Sequence, residues 1–233
     1  MSKLNHIAII LDGNRRWAKE QGKKPEYGHK KGAENLEELI KAIKKEKLIN
    51  VLTVYIFSTE NWKRSKVEVT YLMNLFSMYF KKLIKDAKKH NIKVVFSGSD
   101  DHLTPSLKKM KYEAMEKTKD NTELVLNLCF NYGGRREILE GIWSIYDDIK
   151  EGKIEKEDIT EEYISSKMYS PEIPDPELII RTSGEMRLSN FQTWEGTYSE
   201  LYFVDKKWPD FKIEDLKEAI NEFDRRERRF GGK

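Results

Sequence analysis

Six short apolar runs punctuate this chain, and helix-patterned stretches separate them. His6–Leu11, Val51–Phe57, Ile92–Phe96, Leu124–Phe130, Leu178–Arg181 and Leu201–Phe203 each have the length of a strand and end in polar or turn residues. Near-continuous apolar runs of this kind predict strands buried on both faces. Between them, Leu36, Leu39, Ile40 and Ile43 trace one helical stripe over His29–Lys47. Val67–Lys89 carries a wider, aromatic stripe through Leu72, Leu75, Phe76, Tyr79, Phe80 and Leu83. Further helices are predicted over His102–Lys119, with Leu103, Leu107 and Met110 inward, over Gly134–Lys150 and over Ile213–Phe230. Glu151–Asp158 reads as a surface connection. The alternation predicts a single α/β domain, a mainly parallel six-stranded sheet flanked by helices. No linker or internal repeat divides residues 1–233.

Composition narrows the function classes. Charged residues are 36% of the chain, yet the net charge is only +3, which fits solvated helix faces and argues against a nucleic-acid binder. The one cysteine, Cys129, sits in an apolar run and reads as a buried, inert thiol. The four histidines lack zinc spacing, and no apolar stretch has the length of a membrane span. The expected compartment is the cytoplasm.

In open parallel sheets, ligands bind beyond the carboxyl ends of the strands. Those ends carry Asp12-Gly13-Asn14, Ser58-Thr59-Glu60-Asn61, Asn131-Tyr132-Gly133-Gly134-Arg135 and Arg181-Thr182-Ser183-Gly184-Glu185. Arg15, Arg16, Arg64, Arg181 and Arg187 gather in these segments, and guanidinium forks suit phosphate oxygens. Asp12 among arginines is a candidate Mg²⁺ ligand, because magnesium uses few carboxylates and completes its shell with phosphate and water. His29 could donate a hydrogen bond to a diphosphate. Phe76, Tyr79 and Phe80 read either as core or as the wall of an apolar channel. No P-loop, G-x-G-x-x-G or G-x-S-x-G occurs, which removes support for Walker, Rossmann and α/β-hydrolase chemistry. Asp147-Asp148-Ile149-Lys150-Glu151 reads as a solvated helix end.

The run from His6 to Ala18, with Asp12-Gly13-Asn14-Arg15-Arg16-Trp17 at its end, resembles the signature of the cis-prenyltransferases, or isoprenyl transferases. Gly28–Gly32, Phe57–Arg64, Asn131–Arg135 and Ile180–Phe191 agree in order and spacing, as do Glu200–Phe203, Trp208–Phe211 and Arg225–Gly232. The resemblance implies a homodimeric α/β fold with a hydrophobic tunnel. It implies condensation of isopentenyl diphosphate with an allylic diphosphate, farnesyl diphosphate being the expected primer, to a Z-polyprenyl diphosphate such as undecaprenyl diphosphate. By position, Asp12 would hold Mg²⁺ and aid the allylic diphosphate's departure. Gly13, Asn14, Arg16, His29 and Arg64 would bind that diphosphate. Arg181, Arg187 and Ser189 would bind isopentenyl diphosphate, with Asn61 and Trp62 beside the isopentenyl unit and Asn61 assigned to the chemistry with Asp12. Arg15, Trp17, Ser58 and Glu60 join the substrate-binding set. Glu200 would be a second metal carboxylate, and Arg229 and Gly231 would reach across the dimer.

Four positions depart from the pattern of many bacterial members. Arg15 replaces a glycine, Pro25 replaces an arginine for which Lys24 would compensate, Ile56 replaces an alanine, and Gln192–Glu195 is less apolar. A bulkier Ile56 would shorten the product, so a short-chain or branched prenyl diphosphate synthase is the alternative reading. A non-catalytic partner subunit is the third, weakened because Asp12-Gly13-Asn14 and His29 are present. An apolar product predicts a cytoplasmic enzyme with transient, peripheral membrane contact. Trp62–Val69, polar and joining a site motif to the long helix, is the expected lid.

Overall fold

The computed structural model describes residues 4–227. Its six strands are β1 (His6–Ile10), β2 (Val51–Ser58), β3 (Ile92–Ser97), β4 (Leu124–Tyr132), β5 (Leu178–Thr182) and β6 (Glu200–Val204). They form one sheet in the order β3-β4-β2-β1-β5-β6. Every pairing is parallel. The helices are α1 (Asn14–Glu20), α2 (Pro25–Glu46), α3 (Lys66–Lys89), α4 (Pro105–Thr118), α5 (Gly134–Lys150), α6 (Glu161–Ser165) and α7 (Ile213–Arg225).

The two sheet faces are built differently. Ile7, Ile9, Leu52, Val54, Leu126, Leu128 and Ile180 point to the side where α2, α3, α4 and α7 bury Leu39, Ile43, Leu72, Phe80, Leu107 and Leu216. The alternate residues Ala8, Ile10, Cys129 and Ile179 meet Tyr132 and Phe191 in a smaller cluster. Strand alternation explains the split, since neighbouring side chains leave a strand on opposite faces.

The chain leaving β1 turns to β2 on one side, and the chain leaving β5 turns to β6 on the other. The crevice between β1 and β5 is therefore the switch point where ligands collect in such sheets.

Element boundaries follow local chemistry. The helix expected from His102 starts at Pro105, because Thr104 caps it through Leu107 N–H and proline suits the first helical position. The helix expected from His29 begins at Pro25 for the same positional reason. Helix α1 has no counterpart among the helices expected from the apolar pattern. The stretch Trp62–Val69 is the end of a 3₁₀ turn, Thr59–Lys63, and the first turn of α3. Asp148 in the acidic helix end pairs with Lys167 and Tyr163, so that segment is structural. Cys129 is fully buried, and desolvation holds its thiol well above its ordinary pKa.

Candidate active site

Asp12 leaves β1 with its backbone carbonyl fixed twice. It accepts from Thr182 Oγ1 at 2.7 Å and from Trp208 N–H at 3.0 Å. Gly13 follows with φ of 106°, and a Cβ there would lie 2.8 Å from Ser183 Oγ, so the turn needs glycine. The Asp12 carboxylate accepts from Gly13 N–H at 2.7 Å, Arg181 at 3.0 Å and Arg16 at 3.1 Å. Arg181 comes from the end of β5 and is buried. It also donates to Ser189 Oγ at 2.7 Å and to the Arg187 carbonyl at 2.5 Å, while its Nε is buried without a partner. Glu185 joins the remaining arginines, accepting from Arg16 at 2.7 Å and Arg187 at 2.5 Å. Ser183, Ser189, Asn190 and Gln192 all have positive φ, so backbone strain gathers in this loop.

A second cluster faces the first. Helices α1 and α2 touch closely because Gly28 and Gly32 line the contact. A Cβ at Gly28 would lie 2.0 Å from the Asn14 carbonyl, and one at Gly32 would lie 2.2 Å from Asn14 Oδ1. This contact sets His29 beside the start of α3. There Glu68 Oε1 accepts from Arg64 at 3.0 Å and from His29 Nε2–H at 3.2 Å, and Arg15 lies 3.7 Å from Oε2. Burial lowers the His29 pKa, with Arg64 and Arg15 adding to the effect against the Glu68 contact. Burial likewise lowers Arg64.

Between the clusters lies a polar cleft of about 550 Å³ lined by Asp12, Asn14, Arg15, Arg16, His29 and Arg64. Lys19 and Lys23 line it too, whereas Lys24, the residue expected to compensate for Pro25, does not. An apolar cavity of about 530 Å³ starts at Asn14, His29 and Gly32 and runs between α2 and α3. Its wall includes Ile56, Leu72, Phe76, Tyr79 and Phe80, and its far end reaches Lys44, Lys45 and His90. From Gly32 to Lys45 along α2 is about 20 Å at helical rise. The aromatic stripe is thus both core and cavity wall. Gln192–Glu195 does not line the cavity. Gly134 packs on Thr193, and the Glu195 carboxyl faces Glu137 of α5 on the opposite sheet face, so this departure lies away from the apolar cavity. Burial raises the pKa of both carboxyls, and the neighbouring Glu195 charge raises Glu137 further.

The other expected residues separate into two groups. Ser58, Glu60, Asn61 and Trp62 lie at the same sheet end. Asn61 Oδ1 accepts from Ser58 N–H, and Trp62 Nε1 donates to Asn131 Oδ1. Glu60 accepts from Asn190 at 2.8 Å, which ties this turn to the Ser189 loop. Trp17 is used by the fold, stacking on Tyr27 and donating to Asp210. Glu200 is the first residue of β6, level with Leu178 and Ile7 at the amino end of the sheet, and pairs with Arg226. That is about 15 Å along the strand direction from Asp12, so the two carboxylates do not share one metal within a protomer. Arg229 and Gly231 lie outside the described residues. Sequence reasoning missed Glu68 and Glu185. Glu68 stands four residues after Arg64, a helical ion-pair spacing that could have found it.

Among the described residues no three metal-ligating side chains come together. The carboxylate of Asp12, about 30% exposed in the basic cleft, still fits magnesium, which takes one carboxylate and draws other oxygens from phosphate and water.

Comparison with known proteins decides the family. Residues 10–231 match the prenyltransferase family described as "Putative undecaprenyl diphosphate synthase". The chain is an isoprenyl transferase by family. It is 46% identical to the isoprenyl transferase of Clostridium perfringens, covering 97% of this chain and 89% of that one. It is 47% identical to that of Thermotoga maritima, covering 97% and 96%. Lavandulyl diphosphate synthase from Lavandula x intermedia, solved with dimethylallyl diphosphate, superposes with a TM-score of 0.92 at 31% identity, covering 98% of each chain. A probable undecaprenyl diphosphate synthase from Campylobacter jejuni gives 0.81 at 30% identity over all of both chains. One isoprenyl transferase fold thus serves proteins named for different products.

Proposed function

We propose that this isoprenyl transferase is a cis-prenyltransferase that condenses isopentenyl diphosphate with an allylic diphosphate, farnesyl diphosphate first, to a long Z-polyprenyl diphosphate such as undecaprenyl diphosphate. The observation that carries this reading is the apolar cavity opening directly beside the polar cleft at Asn14 and His29. An allylic substrate needs both halves at once, a diphosphate seat and an apolar groove for its tail.

In the condensation the allylic carbon–oxygen bond breaks. The terminal carbon of the isopentenyl unit bonds to that allylic carbon, and the isopentenyl unit loses a proton, which a diphosphate oxygen would accept. Arg15, Arg16, His29, Arg64 and Asn14 would hold the allylic diphosphate, with Gly13 shaping the turn that faces it. Arg181, Arg187 and Ser189 would hold the isopentenyl diphosphate, and Ser58, Glu60, Asn61 and Trp62 would frame the isopentenyl unit. Asp12 lies between the two sets and would carry Mg²⁺, which supplies charge neutralisation for the leaving diphosphate. Fixing the two substrates together supplies much of the remaining acceleration.

Two wider features belong to this reading. Helix α5 exposes Leu139, Ile142, Trp143, Tyr146 and Ile149 along one face, which a second copy would cover in a homodimer. Glu200 would then act in that assembly, where Arg229 and Gly231 are also expected. No helix among the described residues is long and apolar enough to cross a membrane, and the proposed contact with the bilayer at the cytoplasmic side is peripheral.

The test uses labelled isopentenyl diphosphate and farnesyl diphosphate with Mg²⁺ or EDTA, products being resolved by mass spectrometry. A metal-dependent ladder ending in a long polyprenyl diphosphate supports the reading. Product that stops after one or a few additions favours the short-chain or branched alternative, which Ile56 on the cavity wall motivates. No product from any allylic primer defeats both.

A further inference from the structure

The far end of the apolar cavity and the groove beside it carry six lysines without an ion-pair partner among the described residues. Lys41, Lys44 and Lys45 line it from the last turns of α2. On α3, Asp86, Ala87 and His90 face the cavity, and Lys85, Lys88 and Lys89, exposed on the next face of the helix, line an adjoining groove against α4 with Glu113 and Lys117. None of these six lysines has an ion-pair partner among the described residues, whereas nearby Lys82 and Lys117 pair with Glu37 and Glu113. The acidic side chains at the mouth are Asp86 and Glu123. In a chain whose net charge is only +3, this collar is a strong local excess.

We infer that this collar is the surface by which the protein sits on an anionic lipid bilayer, with the far mouth of the cavity facing the membrane. The inference rests on the proposed apolar occupant of the cavity. A growing prenyl chain emerging among Lys41, Lys45 and Glu123 would otherwise meet water, and a bilayer is the surrounding that receives it without cost. Charge selects the headgroups. Clustered lysines at a membrane surface each strengthen binding to anionic lipid about fivefold, and salt screens the attraction. His90 is the one ring at the mouth beside these lysines, so no row of aromatics is there to stack successive bases, which separates the collar from a single-stranded nucleic-acid groove.

The test is co-sedimentation of the full chain, without substrates, with vesicles of phosphatidylcholine alone or mixed with phosphatidylglycerol. The wild type should bind the mixed vesicles, release them at high salt and ignore pure phosphatidylcholine. The variant Lys85→Gln/Lys88→Gln/Lys89→Gln should bind about a hundredfold more weakly. The matching Arg variant should bind like wild type, and Lys150→Gln/Lys156→Gln, on the opposite side of the sheet, should change binding little. Prenyl transfer in detergent should be equal in wild type and the triple Gln variant. Undiminished vesicle binding by the triple variant, equal binding to neutral vesicles, or binding to duplex or single-stranded nucleic acid in place of vesicles would each overturn the inference. Because vesicle binding is read without substrates, a failed prenyl-transfer assay leaves this result separately readable.

Discussion

At the amino-terminal end of the sheet, His6, Thr53 and Glu177 spend their hydrogen bonds on each other and the backbone; at the carboxyl-terminal end, Asp12, Arg181 and Asn14 keep some in reserve. Glu177 accepts from the Asn5 and His6 N–H groups at 2.6 and 3.0 Å. His6 Nδ1 lies 2.6 Å from the Pro174 carbonyl, which can only accept, so Nδ1 carries the proton. Its Nε2 therefore accepts from Thr53, 2.7 Å away. Thr53 in turn accepts from Asn127, whose Oδ1 accepts from Ser97, giving a buried polar ribbon across four strands. At the other end, Arg181 Nε and Asn14 Oδ1 are buried without partners, Asp12 is partly exposed, and the loops hold positive φ values. The contrast separates polar groups that close a fold from polar groups held ready for a ligand.

The contrast breaks most visibly under paired substitutions. Asp12→Asn keeps the size, removes the charge and turns one of the two acceptor oxygens into a donor, and should cut turnover by about 10³-fold while the protein still folds. Glu177→Gln, at the opposite end of the sheet from the polar cleft, should do the reverse, costing about 1–2 kcal/mol with turnover unchanged. Product assays and urea denaturation on both proteins check the pair. If Asp12→Asn unfolds the protein, or if Glu177→Gln inactivates it while folded, the division between the two ends fails.

Acid should act first at the amino end. Burial lowers the His6 pKa to about 4 from 6.5. Between those values the unfolded chain binds more protons than the native one, so this contribution is complete above pH 6.5 and is lost as pH falls toward 4. The loss is about 3 kcal/mol over that window. Urea midpoints across pH 7 to 4.5 check it, and His6→Gln should flatten the slope. An unchanged slope would mean that His29, whose pKa is also lowered by burial, carries the acid sensitivity instead.

Gly32→Ala probes the boundary between folding and function. The added methyl group meets Asn14 Oδ1, so α1 must shift from α2 at a cost of about 1–3 kcal/mol. Because Asn14 lines both the cleft and the cavity, KM for the allylic diphosphate should rise as well. A loss of stability with unchanged KM would place Asn14 outside the substrate's reach.

How far the sequence announced these features depends on range. The apolar runs give five of the strands to within a residue at each end because a buried parallel strand is written locally in its own residues. The strand-end arginines were legible for the same reason, each lying next to its strand. Glu68 and Glu185 were not, since their significance comes from Arg15, His29, Arg16 and Arg187 arriving through tertiary packing. Glu200 and Trp17 show the converse. A motif position brought them into the site, while the register of β6 and the Trp17–Asp210 bond put one at the far sheet end and the other in the fold. Lys23 and Lys24 differ by one residue, and only the backbone entering Pro25 decides which faces the cleft.

Glu68 gives the subtlest test, because it imitates at the carboxyl end the self-sufficiency of the amino end. Its carboxylate gathers His29, Arg64 and Arg15, the cations that a diphosphate would claim. Glu68 is therefore an internal anion competing for the same seats, and it also keeps those cations from repelling one another while no ligand is bound. Glu68→Gln removes the competing charge and retains an acceptor. Inorganic diphosphate should then bind about tenfold more tightly, equivalent to ~1.4 kcal/mol, since a full negative charge close to the phosphate seat has been removed. Isothermal titration at fixed pH and salt measures this without turnover. Weaker binding would mean that the carboxylate's hold on His29 and Arg64 matters more for aiming them than its charge costs. Glu68 would then belong with Glu177 as a residue that closes structure, and the division between the sheet's two ends would have to be drawn side chain by side chain.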